Sequence, residues 1–145
     1  MAAELANGER FISALFNLSN AIKSEGEHCC RICGDLSEKE LFIIAYIGEN
    51  GSVNMSAIAD YLQAPLSTLT SIVDRLVSNK FLLRHNSNDD RRVVKVVLDR
   101  KGKASYKEFK IRKEIMAEKA LGHPTVAEQE SLITYLDKLA ISIQP

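Results

Sequence analysis

Residues Ser87–Gly102 read SNDDRRVVKVVLDRKG. Asn86 to Asp90 is turn chemistry, Arg91 and Arg92 follow two aspartates, and Val93 to Leu98 is strongly β-branched. A β-branched run bounded by turn residues reads as a strand. Phe81-Leu82-Leu83-Arg84-His85 is short and apolar and supplies the outgoing strand, so the stretch predicts a hairpin with arginines at its tip. A solvated loop has no need of an arginine pair behind fixed acids. The tip calls for an anionic partner.

Working outward, the segments on either side read as helices. Pro65 suits a helix entry, because its missing N–H would be unpaired there anyway. From Pro65 to about Asn79, Leu69, Ile72, Val73 and Leu76 recur at helical spacing and face inward, which turns Ser67, Thr68, Thr70, Ser71, Asp74 and Arg75 outward. A shorter helix, SAIADYLQA, precedes it across a tight turn, with Asn54 or Ser56 as its cap. Before that, LSEKELFIIAYIGEN is nearly all apolar from Leu41 to Ile47 and should be central. Ser37 and Glu40 form a capping box at its start, and Asn50-Gly51 closes it. A helix from about Leu5 to His28 opens the chain. Asp99 caps a long helix from about Arg100 to Leu121, and Thr125 caps a last one bearing Leu132, Ile133, Leu136, Leu139, Ala140 and Ile143 in one stripe.

The order helix, helix, turn, helix, hairpin is that of a winged helix-turn-helix. The expected fold class is mainly α with a small β-hairpin wing. The 145 residues read as one domain: an N-terminal dimerisation helix over 1–34, the winged helix-turn-helix over 35–100, and C-terminal dimerisation helices over 101–145. The apolar stripes of the first and last helices exceed what a winged domain can cover, and two-fold pairing would bury both while spacing two recognition helices about 34 Å apart, one DNA turn.

Composition is ordinary for a globular protein, at 46% apolar and 26% charged. The formal net charge of zero hides an asymmetry. Arg75 to Lys113 carries 13 Lys+Arg against 4 Asp+Glu, and the remainder 6 against 15. A basic segment in a neutral chain is the electrostatic footprint of a polyanion site. An α-helix fits the major groove, where short hydroxyl side chains approach bases and phosphates closely. Arginines at a wing tip suit a narrow minor groove, whose negative potential is enhanced. No apolar run is long enough for a membrane span. The opening MAAELANGERF has acids and no apolar h-region, so it is not read as a signal peptide. Three cysteines are too few for a secreted disulfide scaffold, and the expected location is cytoplasmic. There is no P-loop, H-E-x-x-H or G-x-S-x-G, so no catalytic set is predicted, and no cofactor.

These residues carry a resemblance. Asp90-Arg91-Arg92, then Leu98, then Lys101-Gly102, is similar to the wing signature D-x-R…L-T-x-x-G of the MarR family of bacterial transcription regulators. The pattern L-S-x-L-T-x-I-V-D-R-L-V from Leu66 to Val77 also resembles that family. The resemblance implies that Arg92 reads the minor groove, that Asp90 holds it in place, and that the terminal helices build a two-fold dimer. Arg91 is then a phosphate contact or a second groove contact. The recognition-helix contacts are Ser67, Thr68, Thr70, Ser71 and Arg75. The chain departs from the family at Asp99, where threonine is usual, and at Asn79-Lys80-Phe81, where a glycine commonly precedes the strand. The resemblance further implies a small-molecule effector in a cleft, for which Phe11, Phe42, Tyr46 and Phe109 are candidates alongside plain core roles.

The function expected is a dimeric, sequence-specific regulator on double-stranded DNA with a pseudo-palindromic operator, a repressor released by a small ligand or an oxidant. The alternative is a winged domain for protein–protein contact without DNA, since fold alone does not decide function. An acidic recognition face would favour that alternative.

All three cysteines lie in EGEHCCRIC, from Glu25 to Cys33. Cys30-x-x-Cys33 has the spacing of thiol oxidoreductases without their βαβ context. Thiolates with His28 suit zinc, yet the adjacent Cys29 and Cys30 can hardly both face one ion. A redox switch at Cys29, Cys30 and Cys33 is the third chemical reading. The reading preferred to all three is small apolar residues at a helix end, so no metal site is predicted.

Overall fold

The structure is a computed structural model describing residues 1–145, apart from the side chains of residues 2 and 3. The elements run α1 (Ala2–Ile32), α2 (Glu38–Asn50), β1 (Val53–Asn54), α3 (Met55–Leu62), α4 (Leu66–Ser78), β2 (Leu82–Asn86), β3 (Val94–Leu98), α5 (Arg100–Leu121) and α6 (Val126–Ser142). The fold class is as expected, mainly helical with a small antiparallel sheet. The chain divides into two compact units, Met1–Phe109 and Lys110–Pro145.

In the first unit the caps do what the sequence chemistry dictates. The Ser37 side chain accepts from the Glu40 N–H at 3.3 Å, and the Glu40 carboxylate accepts from the Ser37 N–H at 2.8 Å. Asn54, not Ser56, caps α3, accepting from the Ala57 N–H at 2.8 Å. Gly51 ends α2 with φ +76°, a conformation costly for a side chain bearing a Cβ. The core joins Ile43, Ile44 and Ile47 of α2 to Ile58 of α3, Leu69, Val73 and Leu76 of α4, and Leu82 and Val96 of the sheet. Helical spacing on three helices and alternation on two strands thus converge on one interior.

Two features differ from the sequence expectation. The sheet has three strands in the order β1-β3-β2, because Val53 and Asn54 pair with Val96 and Lys95. A two-residue strand is too short to show a period, and its partner lies far along the chain. Second, α1 reaches Ile32, so Cys29 and Cys30 sit inside its last turns.

The family's usual glycine before the strand finds its explanation at Lys80. This residue adopts φ +67° as the chain leaves α4. The Phe81 N–H donates to the Leu76 carbonyl at 2.9 Å and the Lys80 N–H to the Val77 carbonyl at 3.1 Å. That is a Schellman closure, whose left-handed position normally takes glycine.

In the second unit, Thr125 and Glu128 form a capping box on α6. Gln129 donates to the carbonyls of Leu121 and Pro124 and closes the turn before that helix. No residue of α6 is buried: Leu132, Ile133 and Leu136 are all exposed.

Candidate nucleic-acid interface

The core contacts of Leu69, Val73 and Leu76 set the roll of α4, which leaves Ser67, Thr68, Thr70, Ser71, Asp74 and Arg75 exposed on its outer face. Thr70 Oγ1 donates to the Leu66 carbonyl at 2.8 Å and Ser71 Oγ to the Ser67 carbonyl at 3.4 Å. Both hydroxyls therefore keep acceptor lone pairs outward while their hydrogens point back into the helix. Accepting from an exocyclic base amine needs no rearrangement; donating to a phosphate requires rotation.

Two ion pairs invisible to local sequence reading hold α4. Arg84 of β2 pairs with Asp74 at 2.5 Å. Arg75 Nε pairs with Glu40 of α2 at 2.7 Å. Burial pushes the Glu40 carboxyl up, but the Ser37 N–H and Arg75 together outweigh it, and the net shift is below the ordinary carboxylate range. The partners stand ten residues apart in one pair and 35 in the other, so neither falls at a helical or strand period.

The wing tip is a hydrogen-bonded turn. The Ser87 N–H donates to the Val93 carbonyl at 2.8 Å and the Val93 N–H to the Asp90 carbonyl at 3.0 Å. The Asp90 carboxylate accepts from the Arg92 backbone N–H at 2.9 Å. Asp90 thus holds Arg92 by its main chain; among the described residues neither wing guanidinium is in an ion pair. Asp90, Arg91 and Arg92 are all exposed. Behind the wing, Ser52 and the His85 Nε2 are 3.0 Å apart, tying β2 to the start of β1.

Residues 36–94 match the MarR family. The chain belongs to the MarR family. Bacillus subtilis YpoP, an HTH-type transcriptional regulator, is 28% identical over 72% of this chain and 74% of its own length. The Bacillus subtilis transcriptional repressor MdtR is 33% identical over 54% of this chain and 51% of its own length. The crystal structure of Streptococcus pneumoniae FabT in complex with DNA has a TM-score of 0.75 at 25% identity, covering 93% of this chain and 94% of that one. The MarR match spans the capping box, α3, α4 and the hairpin tip, the same segment whose exposed hydroxyls and arginines are described above. No helix among the described residues is long and apolar enough to cross a membrane.

The cysteines sit outside the matched segment. The structure brings together Cys29 and Cys33, with Sγ atoms 3.6 Å apart, rather than the Cys30-x-x-Cys33 pair. One further turn of α1 explains this, since residues four apart share a helix face. Cys29 and Cys33 are buried and Cys30 is half-buried. Burial, then the Cys29 hydrogen bond and neighbouring charges, pushes the Cys33 thiol up to about 12. Burial first and then Cys29 also push Cys30 up. No group of three or more metal-ligating side chains is present among the described residues. Since the thiolate is the nucleophile, iodoacetamide at neutral pH is expected to leave Cys33 unmodified in the folded protein and to label it after denaturation. Peptide mass spectrometry reads both states.

Of the aromatic candidates for an effector cleft, Tyr46 and Phe109 pack against the core and Tyr46 stacks on Tyr61 at 4.4 Å, while Phe11 and Phe42 are exposed.

Proposed function

We propose that the chain is a dimeric, sequence-specific DNA-binding repressor released by a small ligand or an oxidant. One observation carries this reading: a rigid wing tip presents two unpaired arginines beside a recognition helix whose exposed face is small and hydroxylic. The wing enters the minor groove through Arg92, Asp90 fixes the turn beneath it, and Arg91 meets a phosphate or the groove. Ser67, Thr68, Thr70, Ser71 and Arg75 meet the major groove and its edge. The DNA-bound FabT structure and the repressor MdtR support the partner and the direction of regulation.

Dimerisation rests on the terminal helices, segments 1–34 and 101–145 flanking the winged segment 35–100. Phe16 of α1 is 66% exposed and Leu136 of α6 is 44% exposed in the single chain. Apolar stripes of this extent call for a covering surface, and a two-fold partner supplies it. The buried, proton-retaining thiols make a ligand the better-supported releasing signal than oxidation.

The test is recovery of fragments from host genomic DNA on the tagged protein, followed by sequencing and by the stoichiometry of the shifted complex. A shared motif with two half-sites and two chains per fragment is the expected result. Fragments enriched without a common motif would overturn sequence-specific binding.

A further inference from the structure

Glu40 is the one buried acidic residue among the described residues. Its side chain is 10% exposed, whereas that of its partner Arg75 is 58% exposed. A desolvated carboxylate is costly unless both oxygens are engaged. Here Oε2 accepts from the Ser37 N–H at 2.8 Å and Oε1 from Arg75 Nε at 2.7 Å. The Ser37 contact completes the cap of α2 and accounts for one oxygen. The second oxygen is spent on a residue of the recognition helix.

The mode of that contact is informative. Arginine and carboxylate commonly meet through two parallel hydrogen bonds that consume an edge of the guanidinium. In this pair only Nε is held, and the terminal amino groups of Arg75 have no other partner among the described residues. Arg75 lies one turn beyond Ser71 and two beyond Ser67 on the exposed face of α4. At 1.5 Å per residue, Ser67 and Arg75 are about 12 Å apart along the axis, roughly the width of the major groove. Base edges are met by the N-terminal residues of a recognition helix, so a side chain that far along meets the sugar–phosphate rim.

We propose that Glu40 is a positioning residue for DNA binding: it grips Arg75 from behind through Nε and aims the free amino groups at one backbone phosphate of the operator. This rests on the reading of α4 as the DNA-contacting helix. Glu40 itself touches no DNA and acts through Arg75.

Direction of effect separates this role from its rivals. Simple electrostatics says that removing a negative charge near DNA tightens binding. A purely structural role lowers the melting temperature and leaves the affinity of the folded protein alone. A positioning role makes Glu40→Gln weaken binding, by about tenfold for one lost charge-assisted contact per chain. The experiment is titration of recovered operator DNA at several salt concentrations with the unaltered protein, Glu40→Gln, Arg75→Ala and the double variant, folding being checked by circular dichroism. Expected are similar losses in both single variants, no further loss in the double variant, and a salt slope reduced by about 1 per chain. Glu40→Asp keeps the charge on a shorter arm and covers the case in which Glu40→Gln does not fold; it too should weaken binding. Affinity unchanged or raised in the Glu40 variants, or unchanged in Arg75→Ala, overturns the proposal. If Arg92→Ala weakens binding while these do not, the positioning role alone falls. If the unaltered protein recovers no DNA, the functional reading falls first.

Discussion

Arg92→Ala is expected to lower operator affinity by about 100-fold or more and to leave the unfolding free energy within about 0.5 kcal/mol of the parent. The size follows from what the side chain would lose. A hydrogen bond to a charged group contributes about 1.5–3 kcal/mol, about tenfold for each 1.4 kcal/mol, and a two-fold dimer would lose one such contact from each wing. The neutrality of folding follows from the exposed position of Arg92 and from the turn beneath it, which uses only the Arg92 main chain. Exposed side chains with no buried partner generally change stability little. The measurement is a gel-shift titration on recovered operator alongside urea unfolding of both proteins. Affinity retained within twofold would remove Arg92 from the interface and give weight to a winged domain for protein contact.

The second large effect is on stability. Gly102→Ala should destabilise the fold by about 3 kcal/mol, at the upper end for overpacking, and lower the melting temperature by about 10 °C. A Cβ on Gly102 would lie 2.1 Å from the Phe81 carbonyl oxygen. That oxygen belongs to the main chain and already accepts from the Asp99 N–H at 2.9 Å, while the Lys101 N–H donates to the neighbouring Lys80 carbonyl at 3.2 Å. Relieving the clash pushes the first turn of α5 off the segment that leads into β2, and both bonds are strained together. Gly26→Ala is the control, because a Cβ there meets nothing within 4 Å. Urea denaturation of the two variants separates close approach from helix propensity. A loss below about 1 kcal/mol at Gly102 would mean that the α5 entry can shift freely.

Gly102 also shows where sequence reading stops. Its place in the wing signature was visible, but the cause is a carbonyl oxygen 21 positions earlier in the chain. Lys80 is similar: a missing glycine could be noticed, yet the left-handed backbone it must adopt appears only in the closure of α4. The cysteine motif shows the opposite failure. The spacing of Cys30 and Cys33 invited a pairing, whereas the length of α1 put Cys29 and Cys33 together. Helix ends are set by competition between local caps and packing, which makes them poorly readable from a single stretch.

What could be read from the residues alone was periodic or local. The stripe of Leu69, Val73 and Leu76 set which face of α4 is exposed, the Ser37–Glu40 and Thr125 caps set helix starts, and β-branched residues around a turn set the hairpin. Each depends on neighbours within about one helical turn or across one tight turn. Tertiary structure alone decided the pairing of Val53 with Val96, the grip of Glu40 on Arg75 and of Arg84 on Asp74, and the contact that excludes a side chain at Gly102. These link residues distant in sequence, or at no regular period, through a shared core. No local propensity encodes which two such surfaces will meet.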